Sequence, residues 1–129
     1  MIVAIPLLRE LLKLRLATYS DTYCNRKLVF ENLENILQKN GYRVNSAETR
    51  ESGRGTALAL RIKTKAQAGK TLEVSTNLSV VENHDGYFTH RIIFRNLEEK
   101  LETEGVVIEL CSTRESGRGT PLALRLSLS

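Results

Sequence analysis

The chain has 129 residues, of which 41% are hydrophobic and 26% charged, with a net charge of +4. That balance belongs to a globular protein and excludes a disordered one. The longest apolar run, residues 2–8, contains Pro6 and stops at Arg9, too short to cross a bilayer.

No basic n-region or small-residue cleavage site of a signal peptide opens the sequence, so the expectation is a soluble, cytoplasmic protein with no membrane partner. Cys24 and Cys111 do not make a disulfide framework and read as small buried or half-buried thiols. With no Trp and seven Phe plus Tyr, an aromatic base-stacking platform is hard to assemble.

In chain order, Leu12, Leu14 and Leu16 alternate with polar residues and predict a half-buried strand. Leu7, Leu8, Leu11 and Leu12 also fit a 3.6-residue period, so a helix over Pro6–Leu12 competes for the same segment. Val29, Phe30, Leu33 and Leu37 then place one apolar stripe on an amphipathic helix. Asp21 sits where its N-cap is expected, and Asn40-Gly41 supplies the stop. Strands are expected over Tyr42–Thr49 and from Leu58 through Leu60 and Ile62. Between them lies the octet TRESGRGT, Thr49–Thr56, whose glycines suit a β-hairpin tip.

The same octet recurs at Thr113–Thr120, 64 residues later. With that shift KLVFENLENILQKNGYRV lies over RIIFRNLEEKLETEGVVI, pairing Phe30 with Phe94, Leu33 with Leu97, Leu37 with Leu101 and Gly41 with Gly105. Asp85 falls over Asp21, and LALR occurs at both Leu58–Arg61 and Leu122–Arg125. The alternation of Leu72, Val74, Thr76, Leu78 and Val80 answers the first strand. The pattern predicts an internal duplication: two β-α-β-β units, residues 1–64 and 65–129, joined by the polar linker KAQAGK. They would combine as one α+β domain with pseudo-twofold symmetry, its six-stranded, mainly antiparallel sheet covered on one face by two helices.

Residues 1–64 hold 11 Lys and Arg against 6 Asp and Glu, whereas residues 65–129 hold 8 against 9. A basic surface on the first half suits a polyanionic partner. If the even-numbered strand residues face the helices, Arg9, Lys13, Arg15, Arg43, Arg61 and Lys63 share the opposite face, joined from the second half by Arg125 but also by Glu73 and Glu109. The helices carry Glu31, Glu34, Glu98, Glu99, Glu102 and Glu104. Arg50, Arg54, Arg114 and Arg118 would stand on the two octets, where guanidinium forks and Gly-rich backbone suit phosphate or carboxylate oxygens. Glu51 and Glu115 would offset part of that charge, and a solvated hairpin tip whose arginines pair with these glutamates is the competing reading.

His84 and His90 have no standard metal-ligand spacing, and the first half has Ser20 and Arg26 in their places. No Ser/His/Asp grammar, Walker loop, dinucleotide fingerprint or CxxC pair is present, so no metal, cofactor or catalytic residue is expected.

At the level of topology, paired β-α-β-β units resemble the tandem modules of the vicinal-oxygen-chelate superfamily, whose strand-borne His and Glu ligands have no counterpart here. They are also similar to the saddle-shaped TATA-binding proteins, which are duplicated and bind DNA through a sheet face. Their kinking phenylalanines find no match in this sequence, and likeness of fold does not carry function.

The leading expectation is a small nucleic-acid-binding or regulatory protein that contacts phosphates through the basic sheet face and the four octet arginines, so that binding falls steeply with salt. The rival is an assembly protein forming a homodimer through exposed outer strands ending in LALRLSLS. An enzyme with Arg-lined anion sites ranks last.

Overall fold

The computed structural model describes residues 7–20, 24–46, 58–82, 89–110 and 122–128. The octets lie outside the described residues, and so do Asp21, Asp85, His84 and Cys111.

The chain is α+β. Its elements are β1 (Leu7–Thr18), β2 (Arg26–Phe30), α1 (Leu33–Lys39), β3 (Val44–Ser46), β4 (Ala59–Thr64), β5 (Thr71–Glu82), β6 (His90–Phe94), α2 (Leu97–Thr103), β7 (Ile108–Leu110) and β8 (Leu122–Leu128). The strands form one sheet in the order β3-β8-β6-β5-β1-β2-β4-β7, and every neighbouring pair is antiparallel. Among the described residues the sheet therefore has eight strands where the sequence pattern predicts six, because β2 and β6 occupy the segments expected to begin the helices. Val29, Phe30, Leu33 and Leu37 do fit a helical period, yet Leu28 and Phe30 also continue an alternation. The chain stays extended through Phe30, turns at Glu31-Asn32 and only then coils.

Three further expectations change with that shift. Leu7–Leu12 is strand and not helix. The helix N-caps are Asn32 and Asn96, so Asp21 and Asp85 fall well short of them. Nor do the strands flanking each octet make a hairpin: β3 pairs with β8 and β7 pairs with β4. Each octet consequently lies between an outermost strand and a strand near the opposite edge. The Gly-rich composition invites a tight turn, but long-range pairing decides which strands meet. β8, which carries LALRLSL, is flanked by β6 and β3 and is not an open edge.

Adding 64 to each residue number converts the β1–β2 register into the β5–β6 register: Leu14 opposite Phe30 becomes Leu78 opposite Phe94. The β2–β4 register converts likewise into β6–β8. Between the two long central strands, Leu11 stands opposite Ser75, its own counterpart at that offset.

Even-numbered strand residues, among them Leu12, Leu14, Leu16, Leu28, Leu60, Val74, Leu78, Ile92 and Leu124, bury their side chains in one cluster with Leu33, Leu37, Leu97 and Leu101 of the helices. The Phe30 and Phe94 rings stack within it, 4.8 Å between centroids and 5° from parallel. Three strand spacings separate β2 from β6, and the registers offset the two residues further along the strands, so a flat sheet would hold them roughly 24 Å apart. Their contact shows that the sheet curls around its core.

Both helices end in the same way. Tyr42 N–H donates to Leu37 O at 2.8 Å and Gly41 N–H to Gln38 O at 3.1 Å; Val106 to Leu101 and Gly105 to Glu102 repeat this at 2.8 and 3.0 Å. This is the Schellman arrangement, and Gly41 and Gly105 adopt the positive φ it requires, 91° and 87°. The caps at the other end differ from the usual pattern. Asn32 and Asn96 make no side-chain bond to their own helices. Asn32 Oδ1 instead accepts from Lys13 N–H at 2.9 Å while its Nδ2 donates to Leu11 O at 3.0 Å. Asn96 Oδ1 accepts from Asn77 N–H at 3.1 Å and from the Thr76 hydroxyl at 2.5 Å. Each asparagine thus satisfies backbone of a central strand beyond the point where β2 or β6 leaves it.

Candidate nucleic-acid interface

The side of the sheet turned away from the helices carries the odd-numbered strand residues. Arg9, Lys13 and Arg15 lie exposed along β1, Lys63 is exposed on β4, and Arg61 is half-buried two residues before it. Arg43 is exposed but stands between α1 and β3, not on a strand. The sheet therefore brings five of the six predicted cations onto two strands, β1 and β4. Arg125 occupies the position opposite Arg91 in the register, and Arg50, Arg54, Arg114 and Arg118 lie outside the described residues.

Several of these cations have neighbours that blunt them. Arg15 Nε donates to Glu31 Oε1 at 2.7 Å, an ion pair with both side chains close to half exposed. Lys13 stands directly opposite Glu73. Arg9 Nε donates to Asn77 Oδ1 at 3.4 Å. Away from these rows, Lys39 pairs with Glu10 at 3.5 Å and Lys65 with Glu109 at 3.7 Å, so Glu109 serves a linker lysine.

The sequence pattern misses the densest group. Lys27 of β2 stands directly opposite Arg61 of β4, and both are half-buried. Lys27 Nζ and Arg61 Cζ each lie 5.9 Å from the centre of the Tyr19 ring, at the outer limit of a cation–π contact. Arg61 Nη1 also donates to the Tyr19 hydroxyl at 3.4 Å. Like charges directly opposed across an antiparallel pair reverse a contribution that is otherwise about 0.2–1 kcal/mol. Reading residues 26–30 as helix hides this opposition; the alternation of Lys27 and Val29 with Leu28 and Phe30 is the signal that could have found it.

Among the described residues no three His, Cys, Asp or Glu side chains converge as metal ligands. His90 lies half-buried on β6, its Nδ1 2.7 Å from the Thr89 hydroxyl and its ring edge-on to Tyr42. Cys24 is buried immediately before β2, where a helix start is expected. None of the described helices is long and apolar enough to cross a membrane.

Compared with known proteins, the chain matches no family model, no curated protein and no solved structure.

Proposed function

We propose that the chain is a duplicated unit, 1–64 and 65–129, which folds as one domain and binds nucleic acid through the phosphate backbone. The observation that supports this most is the concentration of Arg9, Lys13, Arg15, Arg61, Lys63 and the newly found Lys27 on one face of β1, β2 and β4. Among the described residues, the acids in or beside that face are Glu31, which engages Arg15, Glu73, which opposes Lys13, and Glu109, which engages Lys65. Arg50, Arg54, Arg114 and Arg118 extend the contact from the two octets. Cations spread over several strands follow a backbone without reading base edges, so the interaction is nonspecific in sequence and driven by counterion release. The identical registers at an offset of 64 support the duplication.

Fluorescence anisotropy with single- and double-stranded DNA and RNA tests the reading. A footprint of about five phosphates on duplex gives a log–log salt slope near −4.5, hence roughly 500-fold weaker binding at about 200 mM than at about 50 mM salt. Absence of binding at the lower salt overturns it.

A further inference from the structure

The strand registers place the outer-face cations in a line. Arg9, Lys13 and Arg15 follow one another along β1. Lys27 of β2 stands opposite Ala17, just past Arg15, and Arg61 of β4 stands opposite Lys27. Because β1 and β4 are both antiparallel to β2, they run the same way, and Lys63 lies further on in that direction. The six cations therefore form one oblique stripe that climbs β1 and crosses to β4, roughly 35 Å from end to end on a flat sheet. On the other flank of β1, Glu73 stands opposite Lys13 and Asn77 opposite Arg9, so the stripe does not widen onto β5.

Two features of the stripe favour one nucleic-acid strand over two. The first is curvature. The helices and the Phe30–Phe94 stack lie on the inner side of the curled sheet, so the stripe runs over its convex side. A duplex is straight over such lengths, its persistence length being about 150 base pairs. Laid along β1, it recedes from Lys63 on β4, whereas a single strand bends and keeps to the stripe. The second is an aromatic ring. Tyr19, half-buried, directly follows β1, with Lys27 Nζ and Arg61 Cζ each 5.9 Å from its ring centre. A ring among cations takes an unpaired base by stacking while the cations hold the phosphates. Bases paired inside a duplex are closed to it. Stacking one base asks for one ring and not for a platform of several.

Resting on the nucleic-acid reading above, we propose that the ligand is single-stranded: its backbone follows the stripe from Arg9 to Lys63, and one of its bases stacks on Tyr19. The length of the stripe suits a short segment, within the roughly 4–16 nucleotides that single-strand sites cover.

The test is fluorescence anisotropy on the full chain, between about 50 and 200 mM salt. The probe is a labelled strand of about 20 nucleotides without self-complementarity, used alone and annealed to its complement. The single strand should bind about fivefold or more tighter than the duplex. Tyr19→Leu should weaken single-strand binding about fivefold or more and leave duplex binding unchanged, whereas Tyr19→Phe keeps the ring and should retain single-strand affinity. Circular dichroism checks that both variants fold. Arg9→Gln and Lys63→Gln, at the two ends of the stripe, should each lower the log–log salt slope of single-strand binding by about 0.7. Duplex binding as tight as single-strand binding overturns the proposal and keeps the nucleic-acid reading. Losses that are equal in Tyr19→Leu and Tyr19→Phe, or absent from both, overturn the stacked base. A slope that ignores Lys63→Gln overturns the path along the stripe. No binding of either probe at the lower salt overturns the nucleic-acid reading and this proposal with it.

Discussion

The two halves of the molecule agree on one surface and disagree on the other. On the inner side, Phe30 stacks on Phe94, Leu33 and Leu37 repeat as Leu97 and Leu101, and an asparagine at each helix start ties down a central strand. On the outer side, Arg9, Lys13 and Arg15 of β1 face across the twofold-like register to β5, where Glu73, Asn77 and Ser79 hold the equivalent places. The difference separates what the fold demands from what it tolerates. Core positions are fixed by volume and by the curl of the sheet, so a residue in one half constrains its counterpart in the other. Arg9, Lys13, Arg15 and Glu73 are exposed, and at such positions side chains change at small cost in stability.

The largest effect should come from the stacked rings. Phe30→Ala and Phe94→Ala are each expected to cost about 3–5 kcal/mol in urea denaturation, a large part of a typical domain's total. The two losses should be similar and the double variant non-additive, since each ring is the other's partner. A large loss for one and almost none for the other would break the equivalence of the halves at its centre.

The asparagines come next. Asn32→Ala leaves Lys13 N–H and Leu11 O without their side-chain partner, and Asn96→Ala does the same to Asn77 N–H and to the buried Thr76 hydroxyl. Each should cost about 1–3 kcal/mol. Adding Thr76→Val to Asn96→Ala should recover part of the loss, because it removes the stranded hydroxyl. If recovery is absent, Thr76 contributes nothing to the difference between the halves.

At the helix ends, Gly41→Ala and Gly105→Ala force a Cβ into a left-handed conformation, at about 1–2 kcal/mol each. A Cβ at residue 41 meets nothing within 4 Å, while one at 105 meets Lys70 Nζ at 3.3 Å. That ammonium is the far end of a flexible chain, although it also donates to Glu104 O at 2.6 Å. The two costs should therefore agree within about 0.5 kcal/mol in the same denaturation assay, and a wider gap would show that the Lys70 contact holds its helix in place.

How legible these features are in the sequence follows from the range of the interactions behind them. Local signals read correctly: the alternation of β1, β5 and β8 and the helix stops at Gly41 and Gly105. Boundaries failed where two periods overlap, since Leu28–Leu37 satisfies a strand at its start and a helix at its end. Pairing failed where it is long-range. Nothing in Val44–Ser46 or Ile108–Leu110 tells that β3 belongs beside β8 and β7 beside β4. For the same reason five of the predicted sheet cations lie on the expected strands, whereas the opposition of Lys27 and Arg61 emerges only once β2 is recognised as a strand and its neighbour is known.

The smallest effect concerns a position where the halves exchange roles. Arg15 on β1 donates to Glu31 in the turn before α1. At the offset of 64, a serine replaces the arginine and an arginine the glutamate, and Arg95 Nε donates back to Ser79 Oγ at 3.1 Å. The bridge between strand and turn is kept while its polarity is reversed. Arg15→Ala should cost at most about 1 kcal/mol, as exposed ion pairs do, and Arg95→Ala about 1 kcal/mol, because the buried Ser79 hydroxyl loses its exposed partner. Their salt dependence should nonetheless differ. The Arg15–Glu31 pair joins two charges and weakens with screening, so the melting-temperature difference between wild type and Arg15→Ala should shrink from about 50 to about 500 mM salt. The Ser79 acceptor is neutral, so the Arg95→Ala difference should hold steady over the same range. Equal shrinkage in both would mean that Arg95 acts through its charge and not through Ser79, and the exchange of roles would then be a likeness of position only.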